Sequence, residues 1–119
     1  MSFASGILTG KSAIVTGGAT GIGAFIVRKL GALGANVGIV SRKEDNLISA
    51  VQDFKDSDGI DVDWCVGDVR DPEGIKKSFD QLAKKIGGID ILVCNAAGNF
   101  ICPTEELSWN GWRTVIEID

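Results

Sequence analysis

Short apolar runs alternate with longer segments of mixed polarity along this chain. The apolar runs are rich in Val and Ile, which favours buried strands at residues 12–17, 36–41, 62–66 and 89–94. The mixed segments place apolar residues at helical spacing over residues 21–33, 44–54 and 72–86, and a further helix is expected after Thr104. The pattern therefore predicts the element order β-α-β-α-β-α-β-α.

The spacing of large apolar residues predicts which helical positions share a face. The stripe of the first helix consists of Ile22, Phe25, Ile26, Leu30 and Leu33, and Gly34 is expected to end that helix. The stripe of the last helix consists of Leu107, Trp112, Val115 and Ile116. The third helix is expected to be capped by Asp71 and to begin at Pro72, where a missing backbone donor costs nothing.

Near-continuous apolar strands between amphipathic helices are typical of a parallel sheet with helices on both faces. Right-handed crossovers in the usual doubly wound arrangement predict the strand order 3-2-1-4. The predicted fold class is therefore α/β, a three-layer α-β-α domain with a Rossmann-type sheet. The fourth strand would be an uncovered edge, so we expect residues 1–119 to be the amino-terminal part of a single domain, truncated after about four strands and lacking its catalytic carboxy-terminal half.

A glycine-rich loop joins the first predicted strand to the first helix, with glycines spaced as G-x-x-x-G-x-G over residues 17–23. Gly17 suits a tight turn, Gly21 lets the backbone approach a pyrophosphate, and Gly23 allows the helix to lie close to the strand. The helix amino terminus offers free amides to phosphates. A plain glycine-rich turn is the alternative, and no Gly-Lys-Ser/Thr follows as a P-loop requires. The residues predicted to bind a dinucleotide here are Gly17, Thr20, Gly21, Ile22 and Gly23.

The end of the second strand indicates which nicotinamide cofactor would bind. NAD sites commonly have an acidic residue there, whereas this chain has Ser41, Arg42 and Lys43. A hydroxyl and two cations suit the 2′-phosphate of NADP(H), with Arg42 able to make a bidentate contact. The alternative is that Arg42 and Lys43 are solvated turn charges.

Two further signals follow later strands. Asp68 could accept a hydrogen bond from an adenine amino group while Val69 packs on the ring. The alternative is that Asp68 is a carboxylate that only flanks a helix. Asn95 could bridge neighbouring strand backbones, and the small residues after it would let the backbone run beside a cofactor. The predicted residues of this second group are Asn95, Ala96, Ala97 and Gly98.

Composition narrows the possible chemistry. The chain has no His, so a Ser-His-Asp or Cys-His centre and a His-ligated metal are excluded within it, and it has no Tyr to act as an acid. A formal net charge of -4 argues against a nucleic-acid partner or an anionic membrane surface. No apolar run approaches a membrane span, and the start lacks the features of a signal peptide. The three scattered cysteines, Cys65, Cys94 and Cys102, favour reduced thiols in an intracellular compartment, with Cys65 and Cys94 buried.

These motifs resemble the amino-terminal half of the short-chain dehydrogenase/reductase family over the whole chain. The glycine loop matches the cofactor motif of the family, Asp68 and Val69 match its adenine-site pair, and the residues from Asn95 to Gly98 match its Asn-Asn-Ala-Gly-like motif. The family lysine that holds the nicotinamide ribose matches nothing in this chain. The resemblance implies an NADP(H)-dependent enzyme that forms homo-oligomers.

A narrower resemblance is to the 2,4-dienoyl-CoA reductases. It rests on residues 95–103, followed by Leu107 and Ser108, and on Asp119, which resembles the peroxisomal branch of that group. It implies NADPH-dependent reduction of an acyl-CoA substrate, a 2,4-dienoyl thioester, to a 3-enoyl-CoA. Asp119 would position or activate the water that donates a proton, although it could instead be a helix-terminal carboxylate. Asn99 and Phe100 would orient the acyl chain, or Phe100 would only pack under the next loop.

The resemblance leaves other readings open. Another NADP-dependent reductase, acting on a 3-oxoacyl or carbonyl substrate, would share the motifs of the wider family. A non-catalytic NADP-binding module would share the glycine loop as well. The implied location is peroxisomal, with mitochondrial and cytoplasmic locations as alternatives.

Overall fold

The computed structural model describes residues 6–95 and 114–117, the latter as backbone only. The strands are β1 (Ser12–Thr16), β2 (Asn36–Ser41), β3 (Val62–Val66), β4 (Ile91–Cys94) and β5 (Thr114–Glu117). The helices are α1 (Gly21–Ala32), α2 (Glu44–Asp53) and α3 (Pro72–Ile86). Up to β4, the elements follow the predicted order, with boundaries that differ by a few residues.

The strands form one sheet in the order β3-β2-β1-β4-β5, and every neighbouring pair is parallel. β1 lies at the centre, with Val15 opposite Ile39 on one side and Val93 on the other. The predicted order 3-2-1-4 and the doubly wound fold class are therefore confirmed. Because all strands run the same way, their carboxyl ends meet at one edge of the sheet, where ligands bind in such folds.

Helices cover both faces of the sheet and form two separate cores. On one face, α1 and α2 pack on the sheet through residues such as Val27, Leu47 and Val15. On the other face, α3 packs through Phe79 and Leu82, which are fully buried. The three-layer α-β-α arrangement follows from this division.

The buried face of α1 differs from the predicted stripe. Ile22 and Phe25 are 62% and 58% exposed, whereas Gly23, Ala24 and Val27 are buried. The physical reason is the close approach of the first turn of α1 to the glycine loop, where a Cβ at Gly23 would overlap the Gly17 carbonyl oxygen, so this small-residue face turns inward and larger side chains turn outward. The other three residues of the predicted stripe are partly buried, so they lie at the border of the buried face: Ile26, Leu30 and Leu33.

The ends of the other two helices follow local rules. α2 continues into a wider π-helical turn at Phe54–Asp58, and Gly59 closes it with a φ of 68°. At the start of α3, the Asp71 carboxylate accepts a hydrogen bond from the Gly74 amide at 3.2 Å, and Pro72 occupies the first turn. The predicted cap of the third helix is confirmed.

The strand β5 contradicts the helix predicted for Val115 and Ile116, and it adds a fifth strand to a sheet for which about four were predicted. Thr114–Glu117 pairs in parallel with β4, which would otherwise present unpaired backbone groups. Three consecutive β-branched residues, Thr114, Val115 and Ile116, suit this pairing, because branching at Cβ favours strands over helices. Leu107 and Trp112, assigned to the same helix, lie outside the described residues.

The prediction of buried, reduced cysteines is wrong in two respects. Cys65 is a free thiol, but it is only partly buried and lies 3.4 Å from the Gln81 Oε1. Cys94 is buried as predicted, yet it is disulfide-bonded. Strand β3 is at the edge of the sheet, which explains why its apolar run leaves Cys65 partly accessible.

Candidate active site

A cleft of about 270 Å³ opens at the carboxyl ends of the first three strands. Two backbone hydrogen bonds hold these ends side by side. The Gly17 amide donates to the Val40 carbonyl at 2.9 Å, and the Gly67 amide donates to the Ser41 carbonyl at 2.9 Å. The cleft is lined by Gly17, Val40, Ser41, Arg42, Gly67, Asp68, Val69 and Arg70.

The glycine loop, residues 17–23, leaves β1 and enters α1 without room for side chains. Gly17 and Gly21 have φ values of 66° and 58°, in the left-handed region that favours glycine. Gly23 has an ordinary φ, but a Cβ there would overlap the carbonyl oxygen of Gly17 and lie 2.6 Å from the Asn95 Nδ2. The loop therefore requires glycine at Gly17 and Gly21 for conformation and at Gly23 for space.

The first turn of α1 is suited to an anion. Thr20 is the N-cap residue, and its side chain makes no capping hydrogen bond within the part of the chain that the structure describes. No acidic residue occupies the first turn, so the amides at Gly21 and Ile22 face no competing carboxylate on their own helix. The space beside them is open, because a Cβ added to Gly21 would meet no described atom within 4 Å. Backbone donors and the positive end of the helix dipole together favour a bound phosphate.

Side chains after β2 and β3 line the cleft next to Gly17. We call this group of residues the charged cleft: Ser41, Arg42, Asp68, Val69 and Arg70. Arg42 is exposed, and it forms no ion pair with any residue of 6–95. Lys43 is the N-cap residue of α2 and does not line the cleft. The structure therefore brings Ser41 and Arg42 to the cleft and sets Lys43 beside it.

Asp68 is held by Arg70, a residue to which the sequence pattern assigned no role. The Asp68 Oδ2 accepts from the Arg70 Nη2 at 2.9 Å, and the Asp68 Oδ1 accepts from the Arg70 Nε at 3.1 Å and from the Arg70 amide at 2.9 Å. The side-chain and backbone hydrogen bonds from Arg70 lower the pKa of the Asp68 carboxyl from 3.8 to about 2, and the charge of Arg42 acts in the same direction. Asp68 is therefore ionised at neutral pH.

A buried hydroxyl connects β4 to the glycine loop. The Thr16 Oγ1 accepts from the Asn95 amide at 2.9 Å and donates to the Val93 carbonyl at 3.4 Å. The Asn95 Nδ2 lies 3.5 Å from the Gly17 carbonyl oxygen, to which it donates. Asn95 thereby joins the end of β4 to the turn that begins the glycine loop.

Sequence reasoning missed two residues of this site. Thr16 has no predicted role, although a buried Thr at the end of a strand needs hydrogen-bond partners. Arg70 had a weak signal, a cation two positions after Asp68 in a turn. The remaining candidates lie outside the described residues: Ala96, Ala97, Gly98, Asn99, Phe100 and Asp119.

Neither a membrane helix nor a metal cluster is found among the described residues. No helix in that part of the chain is long and apolar enough to cross a bilayer. No group of three or more His, Cys, Asp or Glu residues within the same ranges is arranged to hold a metal ion.

Comparison with known proteins gives one family. A model of the short chain dehydrogenase family matches residues 11–119. An uncharacterized oxidoreductase of Caenorhabditis elegans is 45% identical over 114 residues, which cover 95% of this chain and 36% of that protein. The (3E)-enoyl-CoA-producing peroxisomal 2,4-dienoyl-CoA reductase of Danio rerio is 39% identical over 113 residues, covering 95% of this chain and 38% of that enzyme.

A solved structure agrees with these sequence matches. An actinorhodin polyketide ketoreductase, crystallised with NADPH, superposes with a TM-score of 0.70 and 31% identity. The match covers 81% of this chain and 36% of that one. The chain thus spans little more than a third of the length of these three relatives.

Proposed function

Since the chain belongs to the short-chain dehydrogenase family, we propose that the protein is an NADPH-dependent reductase of 2,4-dienoyl-CoA thioesters that forms 3-enoyl-CoA. In this proposal, residues 1–119 are the amino-terminal part of a single NADP-binding domain. The observation that carries the proposal is the junction of the glycine loop with the charged cleft, because one ligand with a pyrophosphate and a phosphorylated ribose would contact both.

The residues present fit such a cofactor. Gly21 borders open space, Gly23 admits no side chain, and the first amides of α1 are available to the pyrophosphate. The Arg42 guanidinium has no carboxylate partner among residues 6–95, so it is available to a 2′-phosphate. Lys43, next to the cleft, adds positive charge at longer range. Asp68 and Val69 would receive the adenine, and Asn95 with Ala96, Ala97 and Gly98 would line the path toward the nicotinamide.

NADPH supplies a hydride when bound, and the protein must bind and orient it. The loop and α1 fix the pyrophosphate by backbone geometry, while Ser41 and Arg42 select the phosphorylated ribose. The absence of an acidic residue at the end of β2 supports NADPH over NADH, because NAD sites commonly use a carboxylate there to bind the ribose hydroxyls.

The acyl-CoA substrate is proposed from the relatives and from the residues after Asn95. The Danio rerio relative is a peroxisomal 2,4-dienoyl-CoA reductase, and this chain carries the stretch that resembles such enzymes. Asn99 and Phe100 would orient the acyl chain. Asp119 would position the water that protonates carbon after hydride transfer. A peroxisomal location and a homo-oligomeric full-length protein are part of the same proposal.

The test is turnover by the full-length protein with NADPH and a 2,4-dienoyl-CoA, a 3-oxoacyl-CoA or a simple ketone as substrate. We expect NADPH oxidation with the dienoyl-CoA and recovery of a 3-enoyl-CoA as product. Turnover of the 3-oxoacyl-CoA or ketone instead would assign a carbonyl reductase. NADPH binding without turnover of any substrate would assign a non-catalytic module.

The role of Asp119 has a separate test. Asp119→Asn is expected to lower kcat for the dienoyl-CoA while leaving NADPH binding unchanged, because the carboxylate would act on the proton-donating water. Asp119→Glu is the matched control that keeps the charge. An Asn variant with unaltered kcat would mean that Asp119 has no part in the chemistry.

A further inference from the structure

The pair formed by Asp68 and Arg70 lies in the cleft where the proposed cofactor would place its phosphorylated ribose. Both residues line this cleft together with Arg42. Four hydrogen bonds of 2.9, 3.1, 3.3 and 2.9 Å run from Arg70 to the two carboxylate oxygens of Asp68. The side chain of Asp68 is 35% exposed and that of Arg70 is 69% exposed.

This arrangement gives the charged cleft a definite balance of charge. Arg42 and Arg70 each contribute one positive charge, and Asp68 contributes one negative charge. Because Arg70 offsets the charge of the carboxylate, the cleft keeps a net positive charge for a ligand, even though Arg42 also acts on Asp68. Without Arg70, Asp68 would offset the charge of Arg42 and would repel a phosphate in the same cleft.

We propose that Arg70 is a specificity-determining residue for the cofactor, because it neutralises Asp68 and so lets a carboxylate coexist with a 2′-phosphate in one cleft. The inference rests on the proposed use of NADPH. Asp68 would bind the adenine, which NADPH and NADH both carry. The negative charge of Asp68 would repel only NADPH, which has the additional phosphate, and Arg70 offsets that repulsion. Arg70 therefore acts through Asp68 and is not itself the ligand of the phosphate.

The test compares dissociation constants for NADPH and NADH in the full-length protein, measured by calorimetric titration. Arg70→Gln should weaken NADPH binding relative to NADH binding by about three- to fivefold, the size expected of an exposed charge pair. Arg70→Lys keeps the positive charge and should retain most of the preference.

A second substitution separates neutralisation from direct contact. Asp68→Asn combined with Arg70→Gln removes the repelling carboxylate, so the preference for NADPH should return toward that of the unaltered protein. Loss of an adenine contact with Asp68 would weaken both cofactors alike and would cancel in the ratio. If the double variant kept the reduced preference, Arg70 would contact the phosphate directly and the proposal would be overturned.

A matched arginine controls for net charge. Arg28 pairs with Asp53 and Asp58 at 2.7 and 3.0 Å, away from the cleft. Arg28→Gln should leave the ratio of the two dissociation constants unchanged. If Arg28→Gln changed this ratio as much as Arg70→Gln does, a local role for Arg70 would be overturned. If the unaltered protein bound both cofactors equally, the proposed use of NADPH would fail. If it preferred NADPH and Arg70→Gln did not alter the preference, only the inference about Arg70 would fail.

Discussion

The glycine loop and the charged cleft face the same crevice, but the loop would bind a ligand through its backbone and the charged cleft through its side chains. The loop is backbone whose shape depends on glycine at Gly17 and Gly21 and on the absence of a side chain at Gly23. The charged cleft depends on exposed side chains, above all Arg42 and Arg70. We infer that the loop decides whether a dinucleotide binds, whereas the charged cleft decides which dinucleotide binds.

This contrast predicts different responses to substitution and to salt. A backbone site fails when volume is added, and it fails for every ligand that needs the same approach. When side chains of an exposed charged site are substituted, its affinity falls gradually, chiefly for the ligand with the extra charge. Salt also weakens such a site, because charges are screened over about 10 Å at an ionic strength of about 0.1 M.

The largest effect is expected from Gly23→Ala. The added Cβ would overlap the Gly17 carbonyl oxygen and shift the loop, so the affinities for NADPH and NADH should both fall by more than about tenfold. Gly38→Ala is the matched control, because a Cβ there meets the Leu82 side chain in the core, away from the cleft. Both variants should lose stability in urea unfolding, and only Gly23→Ala should lose cofactor binding. If Gly23→Ala still bound both cofactors, the glycine loop would not decide whether a dinucleotide binds.

Arg42→Gln should have the next largest effect and should act on one cofactor only. A charge-assisted contact to a phosphate contributes about 1.5–3 kcal/mol, so NADPH binding should weaken by about tenfold or more while NADH binding stays nearly constant. Titrations at low and high salt should show the difference between the two cofactors shrinking as salt rises. Equal weakening of both cofactors would show that Arg42 acts on the fold and does not select the phosphate.

Thr16→Val should produce a smaller effect, seen in stability. It removes the hydroxyl that accepts from the Asn95 amide, leaving a partly buried donor without that partner at a cost of about 1–3 kcal/mol. Thr16→Ser keeps the hydroxyl and should recover most of the loss in urea unfolding. If Thr16→Val were as stable as the unaltered protein, the Thr16 hydroxyl would make no net contribution to stability.

The smallest effect is the titration of Asp68. Its folded pKa is lowered, so the stability contributed by its ion pair is present above its ordinary pKa of 3.8 and is lost as pH falls toward about 2. Carboxyl chemical shifts in NMR should therefore give Asp68 a midpoint below 3.8, and Arg70→Gln should move it upward. An unchanged midpoint in that variant would mean that Arg70 does not hold the carboxylate in solution.

Much of the fold could be predicted because the strands and the Asp71–Pro72 start of α3 carry strong local signals. Two predictions about the helices and strands were wrong for identifiable reasons. On α1, large apolar residues such as Ile22 and Phe25 suggested the buried face, but the face that is buried carries Gly23 and Ala24, because a side chain at Gly23 would overlap the Gly17 carbonyl oxygen. At Thr114–Glu117, the run was too short for periodicity to separate helix from strand, and pairing with β4 determined the outcome.

The candidate site divides in the same way. The glycine loop is readable from sequence, because its chemistry follows from spacing and from its place between strand and helix. The pairing of Asp68 with Arg70 depends on how a turn folds back on itself, which spacing does not reveal. The hydrogen bond between Thr16 and Asn95 joins residues 79 positions apart in the chain, so it can be identified only when the pairing of the strands is known.

The most direct test of the account is the ratio of NADPH and NADH dissociation constants for the unaltered full-length protein, measured by calorimetric titration at low salt. We expect NADPH to bind more tightly, by about tenfold or more, because the phosphate would reach Arg42 in a cleft where Arg70 offsets the charge of Asp68. Equal dissociation constants for the two cofactors would contradict it.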